Sequence, residues 1–155
     1  MHLALMPLAK VVRAYNAVEL QRHGCKENRT LKVTRFYTGD DDRSHFEDLE
    51  ISWDDTTRGL RTSPISVNGL MFRASEGDAH FLELHPAPRR QLILCMAGVV
   101  EIELGDGEKR QFGPGDVYFA DDLTGEGHRH REISGPLIHA WVFLPEDFDP
   151  APWRA

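Results

Sequence analysis

From Ile65 to Leu144 the chain is a succession of short apolar runs, each closed by a turn former: "ISVNGLMFRA", "HFLELHP", "QLILCM", "VVEIEL", "EKRQFG", "DVYFA" and "PLIHAWVFL". Glycine, proline, aspartate or asparagine separates them, and almost no apolar residue recurs at helical spacing. Short strands at regular intervals with turn signals between them predict an all-β sandwich or barrel. Asp106-Gly107 in "ELGDGEKRQF" supplies the positive φ angles of a tight hairpin, and "FGPGD" supplies a second sharp turn. Alternation then assigns faces. Val100, Ile102 and Leu104 share one side of "VVEIELG", which leaves Glu101 and Glu103 on an outer, solvated side. In "LIHAWVFL", Ile138, Ala140, Val142 and Leu144 oppose His139, Trp141 and Phe143. Both sides are apolar enough to need cover, from a second layer or another subunit.

A chain of 155 residues is long enough for one domain with a real core and some additional chain. The sequence divides into an N-terminal extension over 1–60, a barrel over 61–145 and an extended tail over 146–155. Within the extension, Val11, Tyr15 and Val18 approach helical spacing before Gly24, predicting a short helix over 10–23. "TLKVTRFYTG", the turn "GDDDRS" and "FEDLEISW" read as a strand pair, and "TTRGLRTSP" as an exposed loop. A strand pair outside the barrel is suited to lie across a sheet edge, on the barrel itself or on the partner of a homodimer. Trp153 in the tail reads either as packed on a neighbour or as a surface residue.

The formal net charge of −7 removes the basic surface that phosphate backbones require, so nucleic acid is not an expected partner. The same sign opposes adsorption to anionic membranes, and the apolar run Leu92 to Val100 is far short of the ~20 residues that span a bilayer. Cys25 and Cys95 stand in no metal-binding or redox spacing, and the opening "MHLALMPLAKVV" does not follow a signal-peptide pattern. A reducing, cytoplasmic setting is the expectation, with Cys95 as a small core residue.

The segment from about Leu82 to Leu144 resembles the cupin superfamily, and within it the small RmlC-like single-domain cupins. That family's first motif is an HxH pair, a glutamate and, six residues later, a glycine. With Gly98 as that glycine, Gln91 stands for the glutamate, Ala87 for the second histidine and His85 for the first. In the second motif Gly115 leads to Gly125 and His128, with Asp121 in place of a proline and Glu132 in place of an asparagine. "GDDDRSHFEDLE", "HPAPRRQ" and "DDLTGEGHRHR" are similar to a branch of cupins without an assigned activity. The resemblance implies a jelly-roll barrel whose cavity binds a small metabolite, anionic ones included.

It also implies a site. A cupin of this kind holds one divalent metal ion, iron, manganese, nickel or zinc, which here would fall to His85, His128 and Gln91. A neutral amide cancels none of a cation's charge, so His130, Asp121, Asp122, Glu126 or His139 would have to complete the set, or the cavity works without metal. Arg89, sharing parity with Gln91, is the candidate grip for a carboxylate or phosphate, while Arg90 reads as a neutraliser of "FEDLE" or Glu101. Without metal, His128 with Asp121 or Asp122 forms a general-base pair suited to an isomerase or epimerase. The expected activities are therefore an oxygenase, isomerase or lyase, against a ligand-binding or sensing barrel with a degenerate metal site. His85 as a strand cap and His130 as a solvated loop residue are the structural readings of the same positions.

Overall fold

A computed structural model describes residues 30–77 and 80–154. The helix expected over 10–23, and Cys25, lie outside the described residues. The strands are β1 (Thr30–Thr38), β2 (Ser44–Ser52), β3 (Asp54–Thr56), β4 (Gly59–Arg61), β5 (Gly69–Ser75), β6 (His80–His85), β7 (Gln91–Leu104), β8 (Lys109–Phe112), β9 (Val117–Asp121) and β10 (His128–Phe143). The main sheet runs β2-β1-β9-β7-β10-β5, with β8 also on β7 and β6 also on β10. The all-β class expected from the turn spacing is what the chain adopts.

Two long strands organise the fold. The first residues of β7, Gln91 to Leu94, pair with β9, whereas Val100 to Glu103 pair with β8. On β10, His128 to Arg131 pair with β6 and Leu137 to Phe143 with β5. β7 and β10 pair with each other along their length, with register shifts between Glu132 and His139. Opposite those shifts Gly98 takes φ +77°, and a β-carbon there would press on the Leu137 side chain and the Ser134 carbonyl. Glycine is thus the residue that lets the ribbon bend without breaking. The bent ribbon carries different neighbours at its two ends, β9 and β5 at one and β8 and β6 at the other. "QLILCM" and "VVEIEL", which the sequence presents as two strands, are one for this reason.

Alternation sorts the core into two layers. Inside the barrel pack Phe36, Ile93, Val100, Ile102, Leu104, Phe112, Tyr118 and Leu137. On the other side of the main sheet Val33, Leu49, Ile51, Leu92, Phe119 and Leu144 form a second cluster. Each such side chain, fully withdrawn from water, contributes about 2 kcal/mol. Phe148 and Trp153 cover this second cluster, Trp153 at the end of a 3₁₀ turn, Ala151–Trp153. Residues 146–154 are thereby folded onto the protein's own sheet. Arg90 donates to the Glu146 and Phe148 carbonyls, and Arg154 pairs with Glu47 at 2.8 Å.

Of the two placements open to the pair β1 and β2, the one on the barrel is seen: β1 runs parallel to β9 with Thr34 opposite Tyr118. Two other local expectations are revised. "TTRGLRTSP" contains the small hairpin β3–β4. Glu101 and Glu103 face outward but are covered: Arg131 and Lys109 lie at Glu101, and Arg129 and Lys109 at Glu103. Among the described residues no helix is long and apolar enough to cross a membrane.

Candidate active site

The approach of two histidines is a backbone event. Gly127 takes φ +78°, and a β-carbon there would collide with the His85 backbone. The glycine lets β10 begin directly against the end of β6, where His128 and His85 are register partners. Their rings lie 4.8 Å apart between centroids, and Phe36 packs on the other side of His128 at 4.6 Å. His128 is 7% exposed, while His85 is half-buried.

His128 Nδ1 lies 2.8 Å from Asp122 Oδ2. A carboxylate only accepts, so Nδ1 carries a proton, and in the neutral ring Nε2 is left with its lone pair. Asp122 is 0% exposed, and its oxygens also receive the Ser44 hydroxyl at 3.0 Å and the Ala87 N–H at 3.3 Å. Three donors fix the carboxylate, and the carboxylate fixes the imidazole. His85 Nδ1 is 3.0 Å from the Glu83 carbonyl, which orients the second ring in the same way. Such an arrangement can take up a proton at one imidazole and return it from a second nearby.

Asp121, expected from sequence as the catalytic partner of His128, stands on the opposite face. It accepts from Arg35 Nε at 2.9 Å and pairs with Arg90 Nε at 2.8 Å. Arg35 also reaches Glu47 at 2.7 Å. The carboxylate on His128 is Asp122 instead, for a simple reason: consecutive residues leaving a strand point to opposite sides. Tyr118 and Ala120 belong to the inner cluster, so Asp122 shares their side and Asp121 does not. That parity was available in "VYFADD". Arg90 neutralises Asp121, not "FEDLE" or Glu101.

Gln91 is buried on the inner side with Ile93 and Cys95, and it pairs with Ala120. Asp122 lies two residues beyond Ala120, about 7 Å along the strand. Gln91 and the His128–Asp122 pair therefore share an end of the barrel. Arg89 is exposed, with its guanidinium 4.6 Å over the Phe143 ring, and Phe143 is the register partner of Gln91. His130 is a buried strand residue, not a loop residue, and burial together with Arg73 pushes its pKa down to about 4. His139 does face inward, and burial and Arg73 lower its pKa as well. Burial pushes the Cys95 thiol up to about 12, so it is an inert core thiol.

His128 and His85 meet as the resemblance implies, but the third expected group, Gln91, is a neutral amide. Among the described residues no three His, Cys, Asp or Glu side chains converge as ligands would. Asp122 lies on the Nδ1 side of His128, where it orients the ring rather than joining a coordination sphere, and Gln91 brings no charge. Ser44 and Arg73 are not marked by any motif, and Glu132 is marked only as the residue in place of an asparagine. Their partners come from distant strands, and for Arg73 and Glu132 the inner parity of β5 and β10 was the further signal. An open groove of about 440 Å³ between β1, β8 and β9, lined by Lys32, Arg110 and Asp116, contains none of the expected residues.

No protein-family profile and no curated protein matches the chain. Three solved structures are similar in outline. A sugar 3,4-ketoisomerase, QdtA from Thermoanaerobacterium thermosaccharolyticum in complex with TDP, superposes with TM-score 0.42 at 11% identity, covering 66% of this chain and 82% of that one. A double mutant of the same enzyme, also with TDP, gives 0.42 at 13% identity over 66% and 81%. A putative ethanolamine utilization protein Q from Salmonella typhimurium gives 0.30 at 10% identity over 76% and 98%. At that level of superposition the three assign no activity to this chain.

Proposed function

We propose that this is a small-molecule enzyme of cupin type that moves a proton within a carbonyl-containing metabolite, as an isomerase or epimerase does. The observation that carries the reading is the 2.8 Å contact between His128 Nδ1 and the fully buried Asp122. His128 Nε2 accepts a proton from the carbon beside a carbonyl, leaving an enolate. The conjugate acid, or His85 beside it, returns a proton to the neighbouring carbon or to the opposite face. Gln91 and Arg89, at the same end, are the polar groups for substrate. No step invokes a metal.

The test is solvent-deuterium wash-in, followed by proton NMR, over a panel of small ketoses, keto sugars and 2-oxo acids. Incorporation adjacent to a carbonyl that disappears in His128→Ala is the expected result. Saturable binding of a panel compound without any exchange would instead favour the non-catalytic ligand-binding reading. The incomplete metal-ligand set is the observation on that reading's side.

The assembly we propose is a homodimer, and the outer face of β5, β10 and β7 supports it. Leu70 and Phe72 of β5, Ile138 of β10, and Leu94 and Met96 of β7 all point outward there, Phe72 being 65% exposed. Phe72, Ala140 and Leu94 form one continuous row. β5 ends the sheet among the described residues, with no proline and no outward charge to guard it. Monomers rarely leave such a face bare, and a second copy offers the same apolar surface about a two-fold axis. The unpaired Cys95 thiol fits the cytoplasmic setting proposed for the protein.

A further inference from the structure

We infer that the inner face of β10 and β5 carries a carboxylate-binding site built from Arg73, His139 and Trp141. The inference rests on the reading of the barrel as a small-molecule site and names what it binds. His139 and Trp141 alternate with outward residues on β10, and their register partners on β5 are Arg73 and Met71. His139 is 3% exposed, yet its Nε2 has no hydrogen-bond partner among the described residues, and buried Trp141 Nε1 has none either. A buried polar atom left unsatisfied costs about 1–3 kcal/mol, and native proteins keep few of them. Two such atoms on one face, on side chains about 7 Å apart, are complementary to a small polar ligand.

The chemistry of that ligand follows from the groups. An indole N–H only donates. Burial and the neighbouring Arg73 disfavour the protonated form of His139, and its neutral ring has one N–H to give. Arg73 lies 5.8 Å over the Trp141 ring, with 32% of its side chain exposed. Its described polar contact is a long one, 3.6 Å to Glu132 Oε1, while the Ser75 hydroxyl holds Glu132 from 2.8 Å. The guanidinium therefore keeps donors for a second acceptor. One cation, only partly offset by Glu132 at 3.6 Å, and two neutral donors suit a single-charged, planar anion, and an arginine fork matches a carboxylate in two-point geometry. A cation would find Arg73 in its way.

The ¹H–¹⁵N spectrum tests this. The Trp141 indole resonance, assigned through Trp141→Phe, is followed while acetate, pyruvate, succinate and inorganic phosphate are each titrated at fixed ionic strength. A saturable shift with a carboxylate is expected, with the Trp53 and Trp153 indoles unmoved. Arg73→Gln should weaken that carboxylate by about tenfold or more. Calorimetry on Trp141→Phe, which keeps an aromatic ring and removes the donor, should show a smaller loss. No shift with any carboxylate to tens of millimolar, an unchanged affinity in Arg73→Gln, or tighter binding of phosphate would overturn the inference. Asp122→Asn separates it from the catalytic reading: that variant should lose deuterium exchange and keep the carboxylate titration.

Discussion

Asp121 and Asp122 are neighbours in sequence and belong to opposite regions of the molecule. On the outer side Asp121, Arg35, Arg90 and Glu47 form a closed set in which each carboxylate meets a guanidinium. On the inner side Asp122 is equally buried, but its partner is an imidazole with a second nitrogen to offer. The first arrangement completes its charges and fixes β1, β9 and the tail side of the sheet. The second leaves one proton-accepting atom beside His85. What distinguishes a structural ion pair from a reactive one here is whether the partner still has a functional group after pairing.

The strongest way to break that distinction is Asp122→Asn or His128→Ala. Each should lower deuterium exchange into a substrate found in the panel by about 10²–10⁴-fold, with circular dichroism retained. Exchange unchanged in both would erase the functional side of the comparison. Asp121→Ala should do the reverse, costing about 3–5 kcal/mol in urea denaturation by leaving Arg35 and Arg90 uncompensated, with exchange per folded molecule intact. A loss below about 1 kcal/mol would mean that the outer cluster is not the structural one.

pH sharpens the inner side further. His130 has a folded pKa of about 4, depressed by burial from the ordinary 6.5, so the unfolded chain binds a proton first as pH falls. Its stabilising contribution is complete above 6.5 and is lost progressively down to about 4. Roughly 3 kcal/mol of pH dependence is expected across that window. His130→Gln should flatten the stability profile there, and an equally steep profile in the variant would assign the slope to other groups. The smallest effect belongs to the outer apolar face. Phe72→Glu should shift sedimentation from dimer to monomer while changing the stability of the protomer by about 0.5 kcal/mol or less. A monomer in both proteins would remove the proposed assembly.

Much of the architecture was legible in the sequence because it is local. Asp106-Gly107 marks its hairpin, and Gly107 takes φ +90°. The apolar alternation in "VVEIEL" and "LIHAWVFL" assigns the faces seen here, since the side-chain period of a strand is fixed by its backbone. His85, His128 and Gln91 were reachable as inward candidates by motif spacing. Asp122 over Asp121 was reachable by parity alone.

Other features depend on groups brought together from far apart in the chain. No spacing in the sequence indicates that Ser44 meets Asp122, that Arg35 and Arg90 share Asp121, or that Arg73 sits across from His139. Nor does the run "LPEDFDPAPWRA" reveal that Phe148 and Trp153 find an apolar sheet face to cover. The sequence by itself determined which residues point inward and where the chain turns, because backbone sterics act over two to four residues. Only the tertiary structure decided which inward groups meet and which keep an unsatisfied atom, because hydrogen bonds and ion pairs are settled by through-space distance.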